Sequence, residues 1–239
     1  MKTHRFIVSF ELKSGILELK DPELVNQVRN VLKLKAGEKI ILSDGSGHEA
    51  IADVKGYGKD FMEVEAGEIV FNDNEPDINA VLYCAILKRE NFELVVQKAT
   101  EIGIKEIVPI ITERTIKLNI RQDRLVKIIK EASEQSGRGK VPILHEPVNF
   151  AESVGKAGEE NILNIFFDRS GESFSGLERP DNVGRIGIWI GPEGGWTDKE
   201  IGLAQKARFK TINLGKLTLR AETAAITASY VVVHNFTCR

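Results

Sequence analysis

Little in this chain points to metal, disulfide or membrane chemistry. Its 239 residues include only two cysteines, Cys84 and Cys238, and four histidines. One cysteine sits in an apolar run and the other beside the C-terminus, a spacing that suits neither a metal site nor a disulfide framework and suggests a reducing compartment. His4, His48, His145 and His234 are scattered without ligand spacing, so no metal is expected. No apolar run reaches the roughly 18 residues that a membrane-crossing helix needs. No signal-peptide pattern follows Lys2, His4 and Arg5, and the expected location is the cytoplasm. A net charge of −2 excludes a strong overall basic field and leaves only a local patch to attract nucleic acid. Both phosphate fingerprints, the P-loop and the dinucleotide G-x-G-x-x-G, are missing, which places a nucleotide-dependent oxidoreductase last. No Ser/His/Asp or Cys/His set is visible, and this argues against a covalent hydrolase.

What is present divides in two. Residues 1–72 read as β-rich: Arg5–Phe10, Lys39–Leu42, His48–Lys55 and Phe61–Ala66 have strand character, separated by glycine turns such as Asp44-Gly45-Ser46-Gly47. Asp21-Pro22 opens a short helix through Val31, with Leu24, Val25, Val28 and Val31 on one face. Short strands with glycine turns suggest a small barrel. The polar stretch around Phe71–Asp77 reads as a linker. After it, a strand (Ala80–Leu87), a helix (Asn91–Ile102, with Gly103 beyond its end) and a strand (Glu106–Ile111) form a βαβ unit, which implies a parallel sheet. Helices follow at Arg121–Gln135, Phe150–Lys156, Thr197–Arg208 and Ala221–Phe236, and strands at Val141–Leu144, Ile162–Phe167, Arg185–Ile190 and Thr211–Leu214. The last helix is apolar nearly all round and is expected to be buried in the core or in a dimer interface.

Two stretches carry the chemistry. Ile190-Gly191-Pro192-Glu193-Gly194-Gly195 and Leu214-Gly215 through Leu219-Arg220-Ala221-Glu222 each run from a strand through glycine into a helix. Ligands of α/β proteins bind at such strand ends. Three glycines allow positive φ and close backbone approach, which suits a phosphate-free nucleoside held by main-chain groups; a plain sharp turn is the equal alternative. Glu222 reads most simply as a first-turn acid complementing the helix dipole. Arg220 opposes that dipole and so invites an anionic or electron-rich substrate. Residues 112–140 hold eight basic against four acidic side chains. Most of these belong on a solvated helix face; the sharper reading is a phosphate-contacting face, with Arg138 its best single candidate and Arg124 beside it.

Several segments together resemble the bacterial ribosomal RNA uridine-N3 methyltransferases of the RsmE type, in the SPOUT superfamily. They are His4-Arg5-Phe6, Leu42–Gly47, Gln97–Gly103, Pro109–Arg114, Glu131–Arg138, the Ile190–Gly195 loop and Leu214–Ala224, in family order over nearly the whole chain. Lys216-Leu217-Thr218 departs from the arginine-bearing loop more usual there. The resemblance implies an α/β protein: a PUA-like β-barrel (1–72) that binds RNA, then a SPOUT methyltransferase domain (73–239) with a trefoil knot, in a homodimer. It implies S-adenosylmethionine held by Phe167, Ile190, Gly191, Gly194, Gly195, Leu214, Gly215 and Leu219. Arg220, Glu193 and Glu222 are the implied catalytic groups, and Arg5, Arg114, Arg124 and Arg138 the implied RNA contacts. Methyl transfer from a sulfonium requires no metal. The substrate would be small-subunit (16S) ribosomal RNA, free or within the subunit. A ribose 2′-O-methyltransferase and a non-catalytic RNA-binding factor are the competing functions.

Overall fold

The computed structural model describes residues 3–116, 120–177 and 184–237. Lys117, in the basic segment, and Cys238 lie outside them. The chain divides into two compact units, residues 1–75 with 133–141, and residues 76–132 with 142–239.

In the first unit, β1 (His4–Ile7), β2 (Gly15–Leu19), β3 (Lys39–Ser43), β4 (His48–Tyr57), β5 (Met62–Ala66) and β6 (Val70–Phe71) form one sheet. Its order is β1-β3-β4-β5-β2, with β6 on β4. β1 runs parallel to β3, and the β3/β4, β4/β5 and β2/β5 pairs are antiparallel. Two-residue alternation puts Ile40, Leu42, Ala50, Ala52, Val54, Met62 and Val64 on one face, where they pack with Phe6, Leu19, Leu24, Val25 and Val28. Leu24 and Val25 come from α1 (Pro22–Asn26), whose start is fixed by Asp21 accepting the Glu23 and Leu24 amides, and Val28 from the turn that continues it. The helix runs on into a π-helical turn, Gln27–Val31. That wider turn rotates Val31 off the apolar face, so Val31 is 67% exposed where burial was expected. β2 was missed in the sequence because Leu19 is the one fully buried residue on it, too faint an alternation to read.

The second unit comprises β7 (Asn79–Ala85), α2 (Arg89–Ile102), β8 (Glu106–Ile111), α3 (Gln122–Ser136, whose end counts with the first unit), β9 (Ile143–Leu144), β10 (Val148–Asn149), α4 (Phe150–Glu160), β11 (Leu163–Ser173), β12 (Arg185–Ile190), α5 (Asp198–Lys206), β13 (Lys210–Asn213) and α6 (Ala221–Phe236). The strand order is β10-β8-β7-β12-β11-β13, with β9 on β8. The pairings are parallel, as the βαβ unit implies. Gly103 ends α2 at φ +106, returning its amide to Ala99 and Thr100. Thr197 and Glu200 open α5 with a reciprocal capping box. α6 packs on α2, β7 and β12. Its buried residues Ala221, Ala225, Ala228, Val232 and Phe236 form a stripe at helical spacing. Thr223, Tyr230, His234 and Asn235 are exposed and Ala224, Ile226 and Val231 are half-buried, so the chain by itself encloses one face of the helix. Among the described residues no helix is long and apolar enough to cross a membrane.

Aromatic rings fill one face of this parallel sheet. Tyr83 and Trp189, register partners on neighbouring strands, stack 4.1 Å apart and within 2° of parallel. Phe166 stacks on Trp196 at 4.4 Å, and Phe150 stands tilted or edge-on to both tryptophans. A buried indole N–H needs an acceptor. Trp189 Nε1 donates to Asn164 Oδ1 at 2.9 Å, and the same oxygen accepts Asn161 Nδ2 at 2.7 Å. Arg185 Nε donates to Asn161 Oδ1, and its guanidinium pairs with Glu106, which also meets His145 Nε2 at 2.8 Å. Burial alone would raise the Glu106 carboxyl, but Arg185 and His145 beside it hold it below the ordinary range.

Two outcomes follow from this network. Asn164→Ala strands the Trp189 and Asn161 donors and should cost about 1–3 kcal/mol in urea unfolding, with the m-value unchanged. A carboxylate whose folded pKa is depressed stabilises the fold above its unfolded value and loses that stability as pH falls below about 4.3. Glu106→Gln should therefore lower Tm at neutral pH and flatten the acid limb of a Tm-against-pH curve.

Candidate active site

β11, β12 and β13 run parallel and end at the same edge of the sheet. The turns after β12 and β13 line one cavity of about 790 Å³. A Cβ on Gly191 would lie 3.0 Å from Trp196 Cε2, so the backbone crosses directly over the indole. Trp196 Nε1 in turn donates to the Phe167 carbonyl at 3.0 Å, tying the turn to β11. The Gly195 amide returns to the Pro192 carbonyl at 2.8 Å. Gly195 and Gly215 hold φ of +71 and +112, where an added Cβ would meet open space. Conformation, not crowding, demands glycine at these two positions, and their main chain borders free volume.

The first turn is pinned from outside as well. Arg114 Nη1 donates to the Gly194 carbonyl at 2.6 Å and to the Trp196 carbonyl at 3.2 Å. The buried Glu200 carboxylate accepts the Thr197 amide at 2.8 Å and the Glu113 amide at 3.0 Å. Two side chains thus hold the carbonyls and amides of a loop that has no secondary structure to do so.

Phe167, Ile190, Gly191, Gly194, Gly195, Leu214, Gly215 and Leu219 all line the cavity, together with Glu193, Arg220 and Glu222. Arg220 is the N-cap residue of α6, is exposed, and has no side-chain partner among the described residues. Glu222 is buried in the first turn of the same helix. Glu193 Oε1 accepts the amide of Lys88, the residue that opens α2, at 3.2 Å. Lys88, Asn91, Asp168, Arg169, Trp196 and Asn213 also line the cavity and were not foreseen. Lys88 follows β7, and Asp168 follows the apolar Ile162–Phe167 run within β11, which was the available signal. Cys84 lies buried nearby, where burial and then the Glu193 charge push its thiol well up.

Arg5, Arg114, Arg124 and Arg138 do not line the cavity. Arg5 pairs with Glu49 at 3.2 Å, and Arg124 Nε with Glu93 at 2.7 Å while staying half exposed. Arg138 departs most from expectation. It was read as a surface cation, yet it is 5% exposed, with Nε and Nη2 on the Glu75 carboxylate at 3.1 and 2.6 Å. A bidentate guanidinium–carboxylate pair tolerates burial that a lone cation would not.

A family model described as an RNA methyltransferase domain matches residues 74–233, and one described as an RNA methyltransferase PUA domain matches 28–66. A ribosomal RNA small subunit methyltransferase E from Rickettsia conorii is 32% identical over 95% of this chain and 94% of its own. The chain belongs to the ribosomal RNA small subunit methyltransferase E family. A structure of a family member from Neisseria gonorrhoeae bound to S-adenosyl methionine is 31% identical and covers 98% of both chains at a TM-score of 0.87. A proposed methyltransferase from Legionella pneumophila, solved with its cofactor SAM, is 31% identical over 100% of both chains at a TM-score of 0.90.

Arg114 is the side chain whose loss should loosen the first glycine turn without touching the core. Arg114→Ala should speed amide exchange in residues 191–196 by on the order of tenfold or more, since a charge-assisted hydrogen bond contributes about 1.5–3 kcal/mol. Exchange in β7 and β12 should be unchanged.

Proposed function

We propose that this chain methylates N3 of a specific uridine in small-subunit ribosomal RNA, using S-adenosylmethionine. The reading rests above all on two glycine turns opening on one cavity with an unpartnered arginine on its wall. The volume lies within the roughly 300–1,000 Å³ of small-molecule sites. Gly191, Gly194, Gly195 and Gly215 all line that space, an added Cβ at Gly195 or Gly215 would meet nothing within 4 Å, and Phe167, Ile190, Leu214 and Leu219 add apolar wall. This donor set fits a nucleoside held by main chain, with no cradle for a pyrophosphate. When bound, S-adenosylmethionine supplies a methyl group already activated on a sulfonium.

The chain's own residues have three tasks. They hold the uracil with N3 in line for displacement, and positioning of this kind is worth up to about 7–11 kcal/mol. Arg220 donates to a uracil carbonyl oxygen, where negative charge collects once N3 loses its proton. Glu222, or Glu193, whose carboxylate meets the Lys88 amide, accepts that proton. The target base enters unpaired, because N3 is inaccessible within a helix.

The barrel of residues 1–72 binds RNA, and residues 73–239 form the SPOUT domain, with a trefoil knot that gathers both glycine turns and α6 at one sheet edge. Ile226, Val231 and Tyr230 on α6 form the face on which two copies pair, and the enzyme works in the cytoplasm. Arg124, half exposed, contacts RNA phosphates. Arg5, Arg114 and Arg138 serve the RNA by shaping the surface through Glu49, the Gly194 loop and Glu75.

Arg220→Ala should lower kcat by about 10²–10³-fold, the usual effect of removing one oxyanion donor, while S-adenosylmethionine still raises Tm. Near-normal turnover would remove Arg220 from the mechanism. Mapping the methyl group in ribosomal RNA from a strain lacking the protein tests the substrate: loss of a 2′-O-methyl group, or of none, would overturn the N3 assignment.

A further inference from the structure

β11 does not run straight beside β13. Phe167 and Glu172 both register on Ile212, so residues 168–171 leave the ladder and rejoin it. Three contacts build this excursion. Asp168 Oδ1 accepts the Ser170 amide at 2.9 Å and the Ser170 hydroxyl at 2.6 Å, closing a tight turn. Gly171 lies so close to β13 that a Cβ would sit 2.5 Å from the Ile212 nitrogen. Asn213 Nδ2 donates to the Gly171 carbonyl at 2.6 Å, and its Oδ1 accepts the Gly215 amide at 3.0 Å. One side chain therefore ties the excursion to the second glycine turn of the cavity.

The excursion presents Arg169. This residue lines the cavity, is exposed, and has no side-chain partner among the described residues. The neighbouring Asp168 is turned to Ser170, and no ion pair joins it to the guanidinium among the described residues. Irregularities in a strand beside a site re-aim a side chain. A guanidinium set on a braced turn, with no internal carboxylate, suits an anion that arrives from outside.

We propose that Arg169 binds an anionic group of a ligand in this cavity, a carboxylate or a phosphate. The proposal deepens the methyltransferase reading and rests on it. Two groups of that chemistry would reach the site: the carboxylate of the cofactor's amino-acid end and a backbone phosphate of the RNA.

The test compares Arg169→Ala and Arg169→Lys with the wild type in two binding measurements. Calorimetry without RNA gives the Kd for S-adenosylmethionine, and filter binding across a salt series gives the Kd for small-subunit ribosomal RNA. A loss of tenfold or more for S-adenosylmethionine alone assigns Arg169 to the carboxylate. A similar loss for RNA, with a salt slope smaller by about 1, assigns it to a phosphate. Arg169→Lys, which keeps the charge, should recover most of either loss. Gly171→Ala, which must push the excursion off β13, should reproduce the Arg169→Ala loss in a protein whose Tm confirms that it is folded. Both constants within twofold of wild type in Arg169→Ala would overturn the proposal. Because both arms read binding, a wild type that binds both ligands but methylates no uridine would strike the reaction and leave Arg169 decided.

Discussion

The close approach of the main chain at Gly191 to the ring of Trp196 is the constraint on which the cavity depends. With a Cβ only 3.0 Å from the indole, any larger residue would push the turn outward or the tryptophan down. Neither can give freely. The indole N–H is committed to Phe167 and the ring is stacked on Phe166, while the turn is held at Gly194 by Arg114. Trp196 thereby locks the ends of β11 and β12 to one another, and Arg114 adds the end of β8. The open volume survives because the groups bordering it are bonded away from it.

The same parallel sheet meets two opposite demands at its two ends. Glu106 and Arg185 are the first residues of β8 and β12, and there the polar groups form a closed network that leads from Glu106 through Arg185 and two asparagines to the Trp189 indole. A buried polar group left unpaired is costly, so this end is tightly satisfied. At the other end the glycine turns leave backbone groups and cations facing space. The rigid, satisfied end supports the open one through the aromatic layer between them. Rigid support of this kind lets a site hold unpartnered charge.

Charge sorts the arginines more sharply than sequence position does. Arg5, Arg114, Arg124 and Arg138 each hold an internal partner, either a carboxylate or a pair of carbonyls. Arg220 and Arg169 hold none among the described residues, and both sit on the cavity wall. Arg220 sits at the N-cap of α6, the positive end of the helix, where a cation is unfavourable unless an anion stands beside it. An internally satisfied arginine shapes a surface, whereas an unsatisfied one is available to a ligand.

Local chemistry was legible in the sequence wherever a short segment decides the outcome. The Gly103 stop, the bounds of β8, β12 and α6, and the residues of both glycine turns could all be read from spacing or motif. They depend on neighbours within a few positions, and periodicity records such dependence. Long-range partners left no comparable trace. Glu75, 63 residues from Arg138, turned an expected surface cation into a buried ion pair, and the β11 excursion that carries Arg169 exists because β13 approaches Gly171. By itself the sequence determined which segments turn, cap and pair, because those choices are made within a few residues. Only the tertiary structure decided which charges stay free, since that depends on what the fold brings alongside each one.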